Sequence, residues 1–480
     1  MATKEDLSEW EIASTKKMYG YGFGYIIVNY LLLYGLSNMD YFYRVVIGIS
    51  AELILLSMII FALWNMINDP LLGYLTDKPL KWTKKWGLRA PWIVLMTVPM
   101  LIFFILIWTA PVASGDGMNS FVYMIIIVCF FDMFFSIYND HLYGGYTNQF
   151  PSKFERRKSF MLMTVMLFTT LIILQVVQSV ILEAEETAQQ PYIINSIVMV
   201  IILCIFTIPT IKYGIGESEE MKSMFIEKYK SAEKASFIEV TKTALKTKNF
   251  RVSLLGYTVQ VTATTLWNAA QLYFFIDVYG ASTGIGAQRI PLLLSILAAI
   301  GSIPFWSNFT RKGNFKRTYW VAFLLHGLSY IPFVFLMGLP FGSSTLITLH
   351  TVFLFINNIF FAGEVTMLMP VAADTYDEVA LKLGKRSDAT FVGLRNFFFR
   401  IAFLVQAIVF FIVLTAVNYI PDQPLGTDPG STVRMGILVM GALIPSILFI
   451  VMSQIFRKYY SLEGKEKDDM VKALKEAGLF

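Results

Sequence analysis

Apolar stretches of roughly 20 to 30 residues recur along nearly the whole chain, separated by short polar or charged connections. A bilayer core is crossed by about 20 residues of helix, so each stretch is read as one span. The pattern predicts spans at about 19–38, 45–76, 90–111, 120–146, 158–182, 192–214, 251–279, 286–307, 318–339, 344–373, 390–419 and 433–456. It breaks once, where 216–250 turns rich in Lys, Glu and Ser. The predicted organisation is an N-terminal segment 1–18, a six-helix bundle 19–215, a linker 216–250, a second six-helix bundle 251–456 and a tail 457–480. The linker stretch KYKSAEKASFIEVTKTAL predicts one amphipathic helix lying on the membrane surface, and EGKEKDDMVKALKEAGLF predicts a solvated helix in the tail.

Composition removes the soluble alternatives. Of 480 residues, 56% are hydrophobic and 15% charged, with a mean hydropathy of +0.59. A soluble core of that size lacks the polar residues to cover itself, so the apolar faces must meet lipid. A soluble enzyme, a nucleic-acid binder and a disulfide scaffold are excluded. The net charge of +5 has its source in the loops. Lys78, Lys81, Lys84, Lys85, Arg89, Lys153, Arg156, Arg157, Lys158, Arg311, Lys312, Lys316, Arg317, Lys382, Lys385 and Arg386, with Lys4, the linker and the tail, fall on one side. The other side holds Arg44, Arg289 and Arg434. Basic residues are held back in the cytoplasm, so the chain reads as a multi-pass plasma-membrane protein with both termini cytoplasmic. Cys129 and Cys204 lie in apolar runs without metal-ligand spacing. No GxSxG, HExxH or P-loop pattern is present, so no catalytic residue, metal site or cofactor is expected.

Two motif blocks make the reading specific. Span two ends in FALWNMINDPLLGYLTDKPLKWTKKWGLRAPWIV, and PVAADTYDEVALKLGKRSDATFVGLRNFFFRIA joins spans ten and eleven. With YGFG at 21–24, these resemble the W-x-x-x-N-D-P-x-x-G-x-x-x-D, A-D-x-x-D-[YD]-E, G-[KR]-R and F-x-G-x-x-N-F-F-x-[KR] patterns of the glycoside-pentoside-hexuronide:cation symporter family, the melibiose permease group of the major facilitator superfamily. The resemblance covers essentially the whole chain. It implies an all-α fold of twelve transmembrane helices in two six-helix bundles that alternate access of a small-molecule substrate to a central site; a monomer in the lipid bilayer is expected. Read physically, Pro70 interrupts the ladder of span two and Gly73 admits a neighbouring helix. Asp69, Pro70, Gly73, Asp77 and Arg89, with Asp374, Asp377 and Arg386 of the second block, are the candidate gate. Its ion pairs would fasten one conformational state.

Charges at membrane depth are costly and mark function by default. Asp69, Asp140, Glu364, Arg395 and Arg400 are the candidates. Glu364 and Arg400 sit at similar depth on antiparallel neighbours, so an ion pair between them is predicted. The resemblance also exposes departures. Where related sugar symporters carry acids in spans one, two and four, this chain has Asn29, Asn65 and Asn139; Ala62 replaces a span-two Arg, and Met163 and Thr164 stand near a span-five Arg. Asp69, Asn65, Asn139 and Asp140 are the expected cation or proton site, with sodium the alternative to the proton. Asn29, Tyr25, Tyr143, Trp267, Asn268, Gln271, Glu364 and Arg400 are the expected substrate site, whose neutral amides and aromatic rings suit an uncharged sugar or glycoside. His141, His326 and His350 are read as packing residues. Cation-coupled transport of a sugar leads; a lysolipid cargo and uncoupled facilitation are the alternatives, and a non-transporting receptor comes last.

Overall fold

A computed structural model describes residues 13–36, 38–182, 188–231, 236–281, 284–312, 314–342, 344–420 and 427–479; Lys4 and most of segment 1–18 lie outside them. Among the described residues the regular structure is helical throughout. The long helices of the first half are α1 (Thr15–Tyr30), α2 (Ala51–Thr76), α3 (Ala90–Ile107), α4 (Met118–Gln149), α5 (Lys153–Leu182) and α6 (Gln189–Pro209). Then come α7 (Glu219–Ser231) and α8 (Phe237–Lys246) in the linker. The second half has α9 (Lys248–Tyr273), α10 (Gly284–Lys312), α11 (Phe315–Ser329), α12 (Ser344–Leu383), α13 (Asp388–Ala416), α14 (Ser431–Leu438) and α15 (Ile444–Tyr459), and α16 (Gly464–Glu476) closes the chain.

The helices start where local chemistry predicts. Ser14, Ser50 and Asn314 cap α1, α2 and α11 by accepting backbone N–H bonds at 3.2, 3.4 and 2.7 Å from Lys17, Leu53 and Arg317. Nine of the described helices are long and apolar enough to cross a membrane. α6 shows why lipid must surround them: Ile194, Ile197, Ile201, Ile205 and Ile208 recur at helical spacing and are all exposed. α1 and α11, with 16 and 15 residues, are shorter.

The chain divides into two compact units. One comprises Met1–Lys246, Tyr376–Phe397 and Asp469–Phe480; the other comprises Thr247–Thr375 and Phe398–Asp468. In the first, α1 packs on α5 and α4 lies between α2 and α3. A Cβ at Gly20 would meet the Gly214 nitrogen at 2.6 Å, so only a glycine lets that crossing close. In the second unit, α15 packs on both α9 and α11.

Linker and tail correct the sequence reading. The single linker helix is found as two, α7 and α8, with residues 232–235 outside the described part. The tail helix is not merely solvated, because Met470 and Leu474 are buried and the Leu479 carbonyl accepts from Arg386 Nε at 3.1 Å.

Candidate functional site

The first unit carries a continuous chain of charges at the Lys/Arg-rich helix ends. Arg89, at the start of α3, donates from one guanidinium nitrogen to Asp77 Oδ1 at 3.3 Å and from the other to Asp388 Oδ2 at 3.0 Å. Asp388 continues to Arg386 at 3.4 Å, Arg386 to Asp377 at 2.7 Å, and Asp377 to Arg156 of α5 at 2.6 Å. Three acids and three arginines alternate, all buried, so each charge is matched and none is stranded. Arg156 also donates to the Phe150 carbonyl at 2.9 Å, and the Asn148 amide lies among Arg89, Arg386 and Asp388.

Asp77 has a second task. Its carboxylate accepts the Ala389 N–H at 3.3 Å and the Thr390 N–H and Oγ1–H at 2.8 Å each. A carboxylate at the end of α2 thus caps the first turn of α13, where the helix dipole favours negative charge. Burial pushes the Asp77 carboxyl above its ordinary value, and the Arg89 guanidinium pulls it back. Glycines permit the fit. A Cβ at Gly73 would come within 2.5 Å of the Ala389 carbonyl oxygen, and one at Gly393 within 2.4 Å of the Asp69 carbonyl beside Pro70. Glu217, after α6, accepts the Leu88 and Arg89 N–H groups at 2.5 and 3.2 Å. Burial pushes its carboxyl up to about 7, opposed by Arg89.

Deeper in the same unit, α2 and α4 face each other through acids. Asp132, Ser136 and Asp140 recur every four residues on α4 and so share a face. Asn68 donates to Asp132 at 2.8 Å and Ser136 to Asp69 at 2.5 Å. Asp140 Oδ1 accepts from Asn396 at 3.1 Å and Asn139 at 3.4 Å, while its Oδ2 is buried without a hydrogen bond. Asn65 donates back to the Phe61 carbonyl of its own helix at 3.0 Å. Next to this, Asn29 donates to the Tyr143 hydroxyl at 3.0 Å, Tyr25 packs on Tyr143 with ring centroids 5.5 Å apart, and the Arg395 guanidinium lies 4.9 Å over the Tyr143 ring.

In the second unit, Trp267 stacks on His350 at 5.9 Å and packs on Tyr330 and Phe333. His350 Nε2 meets Gln271 Oε1 at 3.1 Å and its Nδ1 the Tyr279 hydroxyl at 2.7 Å. Trp267 and Gln271 are buried, whereas Asn268 lies on an exposed face. Glu364 does not pair with Arg400, which lies against the Phe399 ring; its partner is His326, whose Nδ1 is 2.8 Å from Glu364 Oε1. Depth alone suggested Arg400, but an imidazole on α11 reaches Glu364 first. Asp374 pairs with Lys467 of α16 and so stands outside the six-charge chain.

Sequence reasoning missed Asp132, Ser136, Arg156, Glu217, His326 and Asp388. The four-residue spacing on α4 was available as a signal. His326 carried none, since a lone histidine in an apolar span looks like packing. Among the described residues, no three His, Cys, Asp or Glu side chains come together to hold a metal ion.

Residues 18–463 match the family model described as MFS/sugar transport protein. Among curated proteins, the chain is 30% identical over 131 residues to an uncharacterised symporter of Synechocystis, covering 26% of this chain and 23% of that one. It is 27% identical over 133 residues to the inner membrane symporter YicJ of Escherichia coli, covering 27% of each. The aligned part thus spans about a quarter of the length of either relative. Among solved structures, the Escherichia coli fucose:proton symporter FucP superposes with a TM-score of 0.63 at 11% identity, over 93% of this chain and 98% of that one. A bacterial homologue of the iron transporter ferroportin gives 0.60 at 8% identity, over 92% and 97%. At such identities these two structures establish the major facilitator fold alone.

Proposed function

The chain belongs to the MFS/sugar transport family, and from that premise we propose that it is a secondary transporter moving a sugar, glycoside or related small polar solute in symport with a cation. The observation that carries the reading is the pairing, inside one unit, of a neutral amide-and-aromatic cluster with membrane-depth carboxylates. Asn29, Tyr25 and Tyr143 offer hydrogen bonds to hydroxyls and a ring face to a sugar. Asp69 and Asp140 lie on adjacent helices, and the bare Oδ2 of Asp140 is a ready acceptor for a proton or cation. Asn65 and Asn139 keep oxygen ligands but no charge, so within this unit those two acids are the groups that can bind a coupling ion. That both curated relatives are named symporters supports it.

The six-charge chain is the gate in this reading. With Asp77, Arg89, Asp377, Asp388, Arg386 and Arg156 mutually paired, the first turn of α13 is held to the first unit. Opening requires those pairs to part. The Lys/Arg-rich loops support a cytoplasmic side for that gate and both termini, and the reading takes a monomer as the working unit.

A thermal-shift screen of the purified chain tests the reading. A ligand that binds only the folded state raises apparent stability. A pentose, hexose or glycoside that raises the Tm while lysolipids do not supports it; stabilisation by lysolipids alone overturns the sugar assignment.

A further inference from the structure

A second buried polar chain lies in the other unit, and its hydrogen-bond directions fix a proton. Ser329 Oγ donates to the His326 carbonyl at 2.7 Å, which uses its one hydrogen. It must therefore accept from Asn357, whose Nδ2 is 2.9 Å away. That orients the Asn357 amide oxygen toward His326 Nε2 at 3.3 Å. An amide oxygen only accepts, so Nε2 carries a hydrogen. The 2.8 Å contact between His326 Nδ1 and Glu364 Oε1 then also needs a proton between its two atoms, as imidazolium facing carboxylate or as imidazole facing carboxylic acid. Without it, two lone pairs would oppose each other.

We propose that His326 and Glu364 together bind and release one proton during the transport cycle, and that Asn357 and Ser329 register which state the pair is in. Loading forms one N–H or O–H bond to a proton taken from water, and unloading returns it; no electrons move. In the unloaded state a single hydrogen must serve the Nδ1–Oε1 contact, which leaves Nε2 bare against the Asn357 oxygen. The amide and the Ser329 hydroxyl must then turn, so the proton state is passed between α11 and α12. A second observation agrees. Glu364 Oε2 is buried with no hydrogen bond, which a carboxylate tolerates poorly and a proton-sharing pair tolerates well. The other ionisable group packed against the pair is Tyr330, whose ring centroid lies 4.9 Å from that of His326. From α15, Phe449 packs on the His326 ring and Ser446 bonds the Gly327 carbonyl; from α10, Trp306 abuts Gly363. None of these is charged.

The proposal takes the purpose of the proton, though not its binding, from the transport reading. The probe is the proton itself: infrared difference titration of the full chain in liposomes, alongside uptake of labelled sugars. The wild type should show a one-proton step that is lost in Glu364→Gln and in His326→Gln. Asn357→Ala should keep the step but move it about one pH unit lower, the tenfold change expected for losing one hydrogen bond to the loaded form. Identical titration of wild type and Glu364→Gln overturns the proposal. If the two Gln variants fail to fold, an unmoved step in Asn357→Ala overturns it instead. No sugar uptake with the step intact rejects the transport reading and leaves the proton site; proton-driven accumulation that survives in Glu364→Gln rejects the site and leaves transport.

Discussion

Arg89 is the residue on which most of the proposed gate converges, touching Asp77 and Asp388 through its guanidinium and Glu217 through its backbone. Removing one member of a buried ion pair typically costs about 3 to 5 kcal/mol, because the partner is left charged and dry. Arg89→Gln is therefore expected to lose stability on that scale in denaturant unfolding, and Asp77→Asn added to it should recover part of the loss. Additive losses would contradict a coupled chain. Glu217 gives a pH signature. Its carboxyl lies at about 7 against an ordinary 4.5, so the folded chain binds the proton more tightly than the unfolded one. Stability from this group is full below 4.5 and is lost as pH rises through about 7. Glu217→Gln should flatten that part of the Tm–pH curve while keeping an acceptor for one of the two N–H groups, Leu88 or Arg89. An unchanged curve would place the pH dependence elsewhere. Asp77, Arg89, Asp377 and Arg386 were legible in the sequence because motif spacing marks them. Asp388 and Arg156 were not, since each looks like one more loop charge until the chain folds and finds it a partner.

At the scale of helices, the contact between α2 and the first turns of α13 rests on absent side chains. Gly73 and Gly393 each bring one backbone against another at distances a Cβ forbids. Gly393→Val should hold the helices apart, lower the Tm, and expose the buried Ser387. A Ser387→Cys probe, shielded in the otherwise wild-type chain, should then react quickly with a membrane-impermeant maleimide. Equal labelling with and without Gly393→Val would show that the glycine is not needed for closure. The all-helical fold and the role of Gly73 were readable from apolar runs and small-residue placement. The split of the linker into α7 and α8 and the docking of the tail were not. An amphipathic period identifies a face to bury but not what buries it, and the Leu479–Arg386 contact joins residues 93 positions apart.

For the whole molecule, the two units hold different parts of the proposed chemistry. The amides and acids proposed to take sugar and cation, with the proposed gate, lie in the first, while the His326–Glu364 pair lies in the second. The sequence located the first set through resemblance and depth. It mispaired Glu364, because depth along a helix is computable from a rise per residue but the direction a side chain faces is not. Transport as a cycle requires these parts to act on one solute. The most direct measurement is sugar uptake by the purified chain in sealed liposomes, with pentoses, hexoses and glycosides offered under imposed sodium or proton gradients. Accumulation of at least one sugar above its outside concentration, driven by a cation gradient and abolished by the matching ionophore, is the predicted result; uptake of every sugar at the passive rate, whatever the gradient, would contradict cation-coupled symport.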